Sequence, residues 1–466
     1  MIYYFSQNTA HSAQPSHAND GGALRKVLNS MRQLNPFSAL TTSAVCQMAQ
    51  TFGTPVYAYD ERLIEEKCCA VLSMPNAYGH TSRYAMKANS NRTLLGIIHA
   101  QGMHIDASSL NEVRRAVLAG IPYEHILLTT QEVPLGEDRT DLEAMLRKGL
   151  QYTVASLRQL ALVAPFAALH GIGLSMRIHP GVGSGESATR NTGDHYSCFG
   201  VHLTNLQEAL DMAAKHGVRF TRVHTHIGSG GDPEVWRSNI DLELGILERH
   251  FPDAHIINFG GGLKEARMPG ETKADIALLG EYAKQRIEAF YAKTGRKLHM
   301  ETEPGTYIMA NAGYILTEVA DKKSTGEGGF RFLVADGGMN LNARPAMYGS
   351  RHPIYLVSSR DGALISSEYD PQTLTSGYDA VVAGPCCESG DAQTLDAEGL
   401  SEARVMAEPD IGDWLVIGGA GAYCAAMTPF NYNTHVQAAE VLLTRDGNLK
   451  LIRSRQTLAQ IMQNEA

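Results

Sequence analysis

Between Arg83 and Gly120 the chain reads RYAMKANSNRTLLGIIHAQGMHIDASSLNEVRRAVLAG. Two short apolar runs, RYAMKAN (83–89) and MHIDAS (103–108), each lead into a segment of helical period. In the second helical segment apolar residues recur at Leu110, Val113 and Val117. Ser109 and Glu112 form a capping box there, and Gly120 can close the C-terminus. Strand followed by helix, repeated, is the unit of an α/β fold built on a parallel sheet.

The alternation continues outward through HILLTT (125–130), QYTVAS (151–156), LSMRIHP (174–180), FTRVHTHIGS (220–229), HIINFGGG (255–262) and KLHMETEPG (297–305). Counted from RYAMKAN these are eight strands, with VYAYD (56–60) as a lead-in. They predict a (β/α)8 barrel over residues 53–313 rather than an open sheet. No GxGxxG follows an early strand, so a dinucleotide-binding fold has little support. After about residue 314 the period changes. FRFLVADGG, HPIYLVSS, YDAVVAG, DWLVIGG and VQAAEVLLTRDG read as strands joined by turns, a mostly-β sandwich or barrel domain over 314–466. Residues 1–52 read as a polar, partly disordered tail and a short helix around Thr42–Thr51, expected to pack with the β domain.

Composition narrows the function. Lys and Arg number 40 against 49 Asp and Glu, a net charge of −9, which argues against a nucleic-acid partner. The seven cysteines include no CxxC pair, so neither a zinc site nor a disulfide framework is expected. Free thiols and abundant Met point to a reducing, cytoplasmic setting. No apolar run approaches a membrane span, and the first 20 residues lack the pattern of a signal peptide. Trp236 and Trp414 read as core or interface.

A barrel keeps its chemistry at the C-terminal ends of its strands. Those ends carry Lys87, then His226 with Gly228, Ser229 and Gly230, then Gly260, Gly261 and Gly262, then Glu303 and Gly305. Gly-rich turns let backbone N–H groups approach a phosphate. A strand-end lysine can form an imine with an aldehyde cofactor, and a carboxylate can keep a pyridine nitrogen protonated. Together these are the needs of pyridoxal phosphate. Each signal alone is weak: a lone lysine is more often a solvated charge, and GGG is more often a tight loop.

From Gly53 onward the chain resembles the fold-type III pyridoxal-phosphate decarboxylases, the family of diaminopimelate and eukaryotic ornithine decarboxylases, with an alanine racemase-like fold. The stretches that carry the resemblance are YAMKAN, HTHIGS, NFGGGL, EPG, NARPAMY, CCESGD and GAY…NYN. It implies that Lys87 bonds to the cofactor and that His226 stacks on its ring. Ser229, Gly260, Gly261, Gly262 and Gly305 would hold the phosphate with Tyr423, and Glu303 would pair with the ring nitrogen. His224 is assigned to packing. The resemblance further implies a homodimer with a shared active site. In it Cys387 arrives from the partner as the proton donor, Glu388 binds the distal ammonium of the substrate, and Arg344 and Tyr348 line the distal pocket.

Two departures bear on substrate. Diaminopimelate decarboxylases usually read EPGR, whereas this chain reads EPGT, with Thr306 in place of arginine. SCFG (197–200) replaces the frequent SKFG, so Cys198 removes a second positive charge. Both point to a substrate with one carboxylate fewer, although Arg344 is kept. The expected reaction is decarboxylation of D-lysine or D-ornithine to cadaverine or putrescine. The alternatives are a meso-diaminopimelate decarboxylase making L-lysine and a non-catalytic regulatory homologue; Lys87 and Cys387 are both present, which counts against the latter. No function follows for QEVPLGEDRT (131–140).

Overall fold

The computed structural model describes residues 33–35, 38–181, 193, 196–228, 232–374 and 377–466. The polar tail before Gln33 and the strand-end residues Ser229 and Gly230 lie outside the described residues.

The first strand in the chain, β1 (Val56–Asp60), does not lead into the barrel. The barrel wall comprises β2 (His80–Ala85), β3 (His104–Ala107), β4 (Ile126–Thr129), β5 (Gln151–Val154), β6 (Leu174–His179), β8 (Phe220–His224), β9 (Ile256–Asn258) and β10 (His299–Thr302). Every neighbouring pair is parallel; β10 returns to β2 and β5 pairs β6, so the ring of eight closes. The two-residue β7 (Val201–His202) pairs β6 outside the ring. The predicted eight strands are therefore the observed ones.

The helices form where the sequence caps them. Ser109 accepts the N–H of Glu112, as read, while the Glu112 carboxylate takes the N–H of Ser108, one residue before the expected partner. Glu132 accepts the N–H of Leu110, so the first residues of QEVPLGEDRT tie down a neighbouring helix, and the rest enters the helix Gly136–Arg147. Helix Glu61–Leu72 precedes β2 and packs against both Arg92–Ala100 and the short helix Thr306–Met309.

The second sheet holds ten strands: β1 with β11 (Gly313–Ser324), β12 (Arg331–Ala335), β13 (Ile354–Val357), β14 (Leu364–Ser367), β15 (Tyr378–Ala383), β16 (Arg404–Met406), β17 (Trp414–Ile417), β18 (Ala439–Leu443) and β19 (Leu449–Arg453). Within it β1 lies between β11, antiparallel, and β18, parallel. Its five residues are all buried, which is why its sequence reads like a barrel strand. Val56 and Ala58 share a core with Val45 and Met48 of helix Thr42–Phe52, and with Tyr355 and Trp414. Tyr57 and Tyr59 face the other way, into the core that runs through the barrel. The strand thus clamps the two halves together through its alternating side chains.

The barrel floor is ionic. Glu301 Oε1 accepts from Arg83 Nη2 (2.7 Å) and from Arg222 Nη2 (3.0 Å), Arg222 Nε lies 2.8 Å from Oε2, and all three side chains are almost fully buried. The Gln151 side-chain carbonyl also accepts from Arg83, at 3.1 Å, and Asn258 Nδ2 donates to Glu301 at 3.2 Å. Burial would raise the Glu301 pKa, but the two guanidinium groups outweigh it and bring it down to about 2.

Replacing Glu301 by Gln leaves two buried cations facing a neutral amide. We expect a loss of about 3–5 kcal/mol in urea unfolding. The sign with pH follows from the lowered value. The stabilisation from Glu301 is complete above its ordinary 4.5 and is lost as pH falls toward about 2. The variant should lack that acid-sensitive component.

Candidate active site

The strand ends converge on a cavity of about 190 Å³ lined by Lys87, His226, Gly261, Gly262, Glu303, Gly305, Thr306, Arg344, Tyr348 and Tyr423, among others. Every predicted site residue within the described chain lies in it or against it, except Cys387 and Glu388. Ser229 lies outside the described residues.

Lys87 sits in a 3₁₀ turn, Met86–Ala88, that continues β2. Its Nζ lies 3.7 Å from Asp106 Oδ2, at the end of β3. Burial opposes the ammonium charge, yet Asp106, with Tyr423 and Glu303, leaves its pKa above the ordinary lysine value. Opposite stands Glu303. His224 Nε2 donates to its Oε2 at 3.1 Å and Asn258 Nδ2 to its Oε1 at 2.8 Å. Burial works against ionisation here too, but His224 first, then His226 and Lys87, hold the carboxyl well below the usual range. Burial keeps His224 neutral, so it acts as an N–H donor to a carboxylate. The reading of His224 as packing is therefore corrected. It lies on the same inward face of the strand as His226, and an inward histidine one layer below the rim meets the carboxylate of the next layer.

His226 Nδ1 accepts the N–H of Gly228 at 3.0 Å, which fixes the ring, and burial pushes its pKa far down. A neutral, oriented imidazole is suited to lie against a flat aromatic ligand. Beside it the backbone comes close. Gly260 has φ +66°, and a Cβ there would meet the Thr225 carbonyl at 2.5 Å; one on Gly261 would meet the Glu303 carbonyl at 2.8 Å. Only glycine allows so close a turn; the Gly260 N–H is taken by Asn258 Oδ1 at 2.9 Å, while Gly261 and Gly262 line the cavity with bare backbone whose shape suits a phosphate. The donor set therefore fits pyridoxal phosphate: an imine-forming amine, a ring-facing imidazole, an ionised carboxylate and a phosphate cradle.

The far wall belongs to the β domain. Arg344 opens helix Arg344–Tyr348 and is buried. Its Nη2 donates to Ser350 Oγ at 3.2 Å, and the guanidinium lies 5.8 Å from the ring centres of both Tyr348 and Tyr423. Tyr423 holds φ +60°, and its N–H donates to the Ala88 carbonyl at 2.8 Å, locking the β domain to the lysine turn. Thr306 stands in the wall beside Gly305. Cys198 is exposed and lines a neighbouring cleft with His179 and His202, not this cavity. Cys387 and Glu388 are exposed on the 385–391 loop, away from the cavity lining of their own chain.

The sequence reading passed over Asp106, Arg177 and Asn258. Arg177 is buried, and its charge acts on both Lys87 and His226. A signal existed: Asp106 in MHIDAS and Arg177 in LSMRIH are charges inside otherwise apolar barrel strands. Such charges must point inward to partners or cost several kcal/mol. Among the described residues no group of three or more His, Cys, Asp or Glu is arranged to hold a metal ion, and no helix is long and apolar enough to cross a membrane.

A barrel rim with this donor set, closed by a β domain, defines a pyridoxal-phosphate enzyme of fold type III. The pyridoxal-binding domain model of the pyridoxal-dependent decarboxylases matches residues 62–310. The diaminopimelate decarboxylase of Escherichia coli K12 is 33% identical over 431 residues, covering 91% of this chain and 96% of the relative. That of Streptomyces coelicolor is 32% identical over 432 residues, 92% of each. A crystal structure of diaminopimelate decarboxylase superposes with a TM-score of 0.83 at 30% identity, covering 93% of this chain and 99% of that one. The chain belongs to the pyridoxal-dependent decarboxylase family: it is a pyridoxal-phosphate enzyme that decarboxylates a basic amino acid.

Lys87→Ala removes the only amine among the described residues that line the cavity. It should abolish turnover together with the visible absorbance band of the covalently held cofactor. Retention of both would disprove the assignment of Lys87.

Proposed function

We propose that this enzyme removes the carboxylate at the D-configured centre of a diamino acid, in a site completed by a second copy of the chain. The substrate read first is meso-diaminopimelate. The observation that carries it is likeness to enzymes of that name over more than nine-tenths of both chains, with Arg344 buried in the distal wall. This reverses the order of the two readings drawn from the sequence.

Pyridoxal phosphate, when bound, supplies a sink for the electron pair left as the carboxylate departs. Lys87 would hold it covalently, and the Gly261–Gly262 turn, Gly305 and Tyr423 would receive its phosphate. His226 would lie against the ring. Glu303, kept ionised by His224, would accept the ring N–H and so keep the ring cationic. Cys387 of the partner subunit gives a proton to the substrate Cα, and Glu388 of the partner subunit meets the distal ammonium. The exposure of both on a loop that does not line their own cavity supports a shared site. Met347 and Phe430, apolar yet about half exposed, supply contact surface nearby. Seven free thiols support a cytoplasmic setting.

Thr306 favours a second reading. It lines the cavity where the resemblance leads one to expect an arginine. A charge-assisted pair with a distal carboxylate is worth about 1.5–3 kcal/mol. Without it D-lysine or D-ornithine, whose tails end in an ammonium alone, is accepted at no cost.

A panel of meso-diaminopimelate with D- and L-lysine and D- and L-ornithine separates the readings by kcat/KM. Preference for meso-diaminopimelate supports the first; preference for a D-diamino monocarboxylate supports the second; preference for an L-substrate defeats both. Under the second, Thr306→Arg should move the ratio toward meso-diaminopimelate by about one to two decades. Mixing inactive Lys87→Ala and Cys387→Ala subunits tests the sharing. Random hybrids should recover about a quarter of native activity, since half the dimers then carry one intact site. No recovery would mean each chain is self-sufficient.

A further inference from the structure

The loop that carries Cys387 is held by hydrogen bonds of its own and by one to Asn433, outside it. At its base, buried Asp391 accepts the N–H of Cys386 at 2.6 Å. The same carboxylate also accepts from the N–H of Met339. The fit is close: a Cβ on Gly338 or Gly384 would lie 2.0 or 2.4 Å from Asp391 Oδ1. The next N–H, that of Cys387, points elsewhere. It donates at 2.8 Å to Asn433 Oδ1, 46 residues further along the chain.

Asn433 lies in the segment Asn431–Thr434, whose backbone is unusual. Asn431, Asn433 and Thr434 have φ of 59°, 49° and 60°, with no glycine among them. Left-handed backbone is tolerable for Asn but unfavourable for β-branched Thr, and such strain persists where the surroundings enforce it. Here Asn431 Nδ2 donates to Gln456 Oε1 at 2.7 Å and to the His435 carbonyl at 3.0 Å. Gln456 Oε1 also takes the N–H of Gln437. The segment is thus held from the C-terminal side and presents the Asn433 amide to the thiol-bearing residue.

We propose that Asn433 is a positioning residue for the proton donor: with Asp391 it fixes the Cys387 peptide and sets the direction and reach of the thiol. Anchored N–H groups on Cys386 and Cys387, with the Cys386 carbonyl taking the N–H of Glu388 at 2.8 Å, fix the peptide plane, and Asn433 is the one of these contacts that comes from outside the loop. The inference rests on the reading above in which Cys387 donates the proton.

The test uses holoenzyme carrying Asn433→Gly, Cys387→Ala or both. Glycine accepts φ +49° without strain, so the variant removes the acceptor and leaves the backbone path open; an unchanged melting temperature confirms this. Asn433→Gly should lower kcat about ten- to a hundredfold with KM and cofactor absorbance unchanged. In the Cys387→Ala background the same change should cost nothing more, since the group being positioned is gone. The rate of Cys387 alkylation by iodoacetamide, read by peptide mass mapping, should also change in Asn433→Gly. Three outcomes overturn the inference: full activity of Asn433→Gly where Cys387→Ala is impaired, additive losses in the double variant, or unaltered alkylation. Native activity of Cys387→Ala would instead defeat the reading that Cys387 is the donor.

Discussion

A closed ring of eight short parallel strands has an interior that must be filled, and here it is filled with charge. Glu301 between Arg83 and Arg222 forms the floor; Glu303, His224, Asn258, Arg177, Asp106 and Lys87 form the layer above. Buried charges stand only when paired. The floor therefore ties β2, β8 and β10 across the barrel, and the upper layer ties the same strands and β9 one step nearer the rim. The layer that performs chemistry is built on a layer that performs none. An ionised Glu303 requires the N–H that His224 donates to it, and both require the ring to close in this register.

The active site is divided between the barrel and the second sheet. The barrel supplies the amine, the imidazole, the carboxylate and the glycine cradle. The β domain supplies the distal wall through Arg344, Tyr348 and Tyr423. The joints are local. Tyr423 donates its N–H to Ala88 beside the reactive lysine, and β1 shows alternate side chains to the barrel core and to the β-domain core. A substrate pocket formed this way can change its selectivity at one wall residue, such as 306, without disturbing the cofactor cradle.

Much of this was legible in the chain. RYAMKAN, HTHIGS, NFGGG and EPG announce strand ends bearing a lysine, a histidine, glycines and a carboxylate, because strand period and Gly-rich turns are local properties. The barrel strands followed from the same signal. Misreadings occurred where local signals coincide. VYAYD has the apolar run of a buried parallel strand whichever sheet it joins, so its place beside β11 and β18 could not be read. The strands β11, β14, β16 and β19 were missed: the last three are short or half-exposed and carry weak alternation, and β11 begins where the barrel reading was taken to end. His224 was set aside because a histidine two residues from a functional one looks like filler until its partner is known.

The sequence by itself determined the order of strands and helices, the residue types at the barrel rim and the departure at Thr306. Each is written in consecutive residues or in a short motif. Tertiary structure alone decided which of those residues meet: Glu303 with His224 and Asn258, Lys87 with Asp106, Arg344 between two tyrosine rings, and Cys387 with Asn433. Most of these contacts join positions tens of residues apart, 79 for His224 and Glu303 and 46 for Cys387 and Asn433. They exist because barrel closure and the docking of the second sheet bring together groups that no local preference relates, and because burial then leaves each polar group no partner but the ones it meets there.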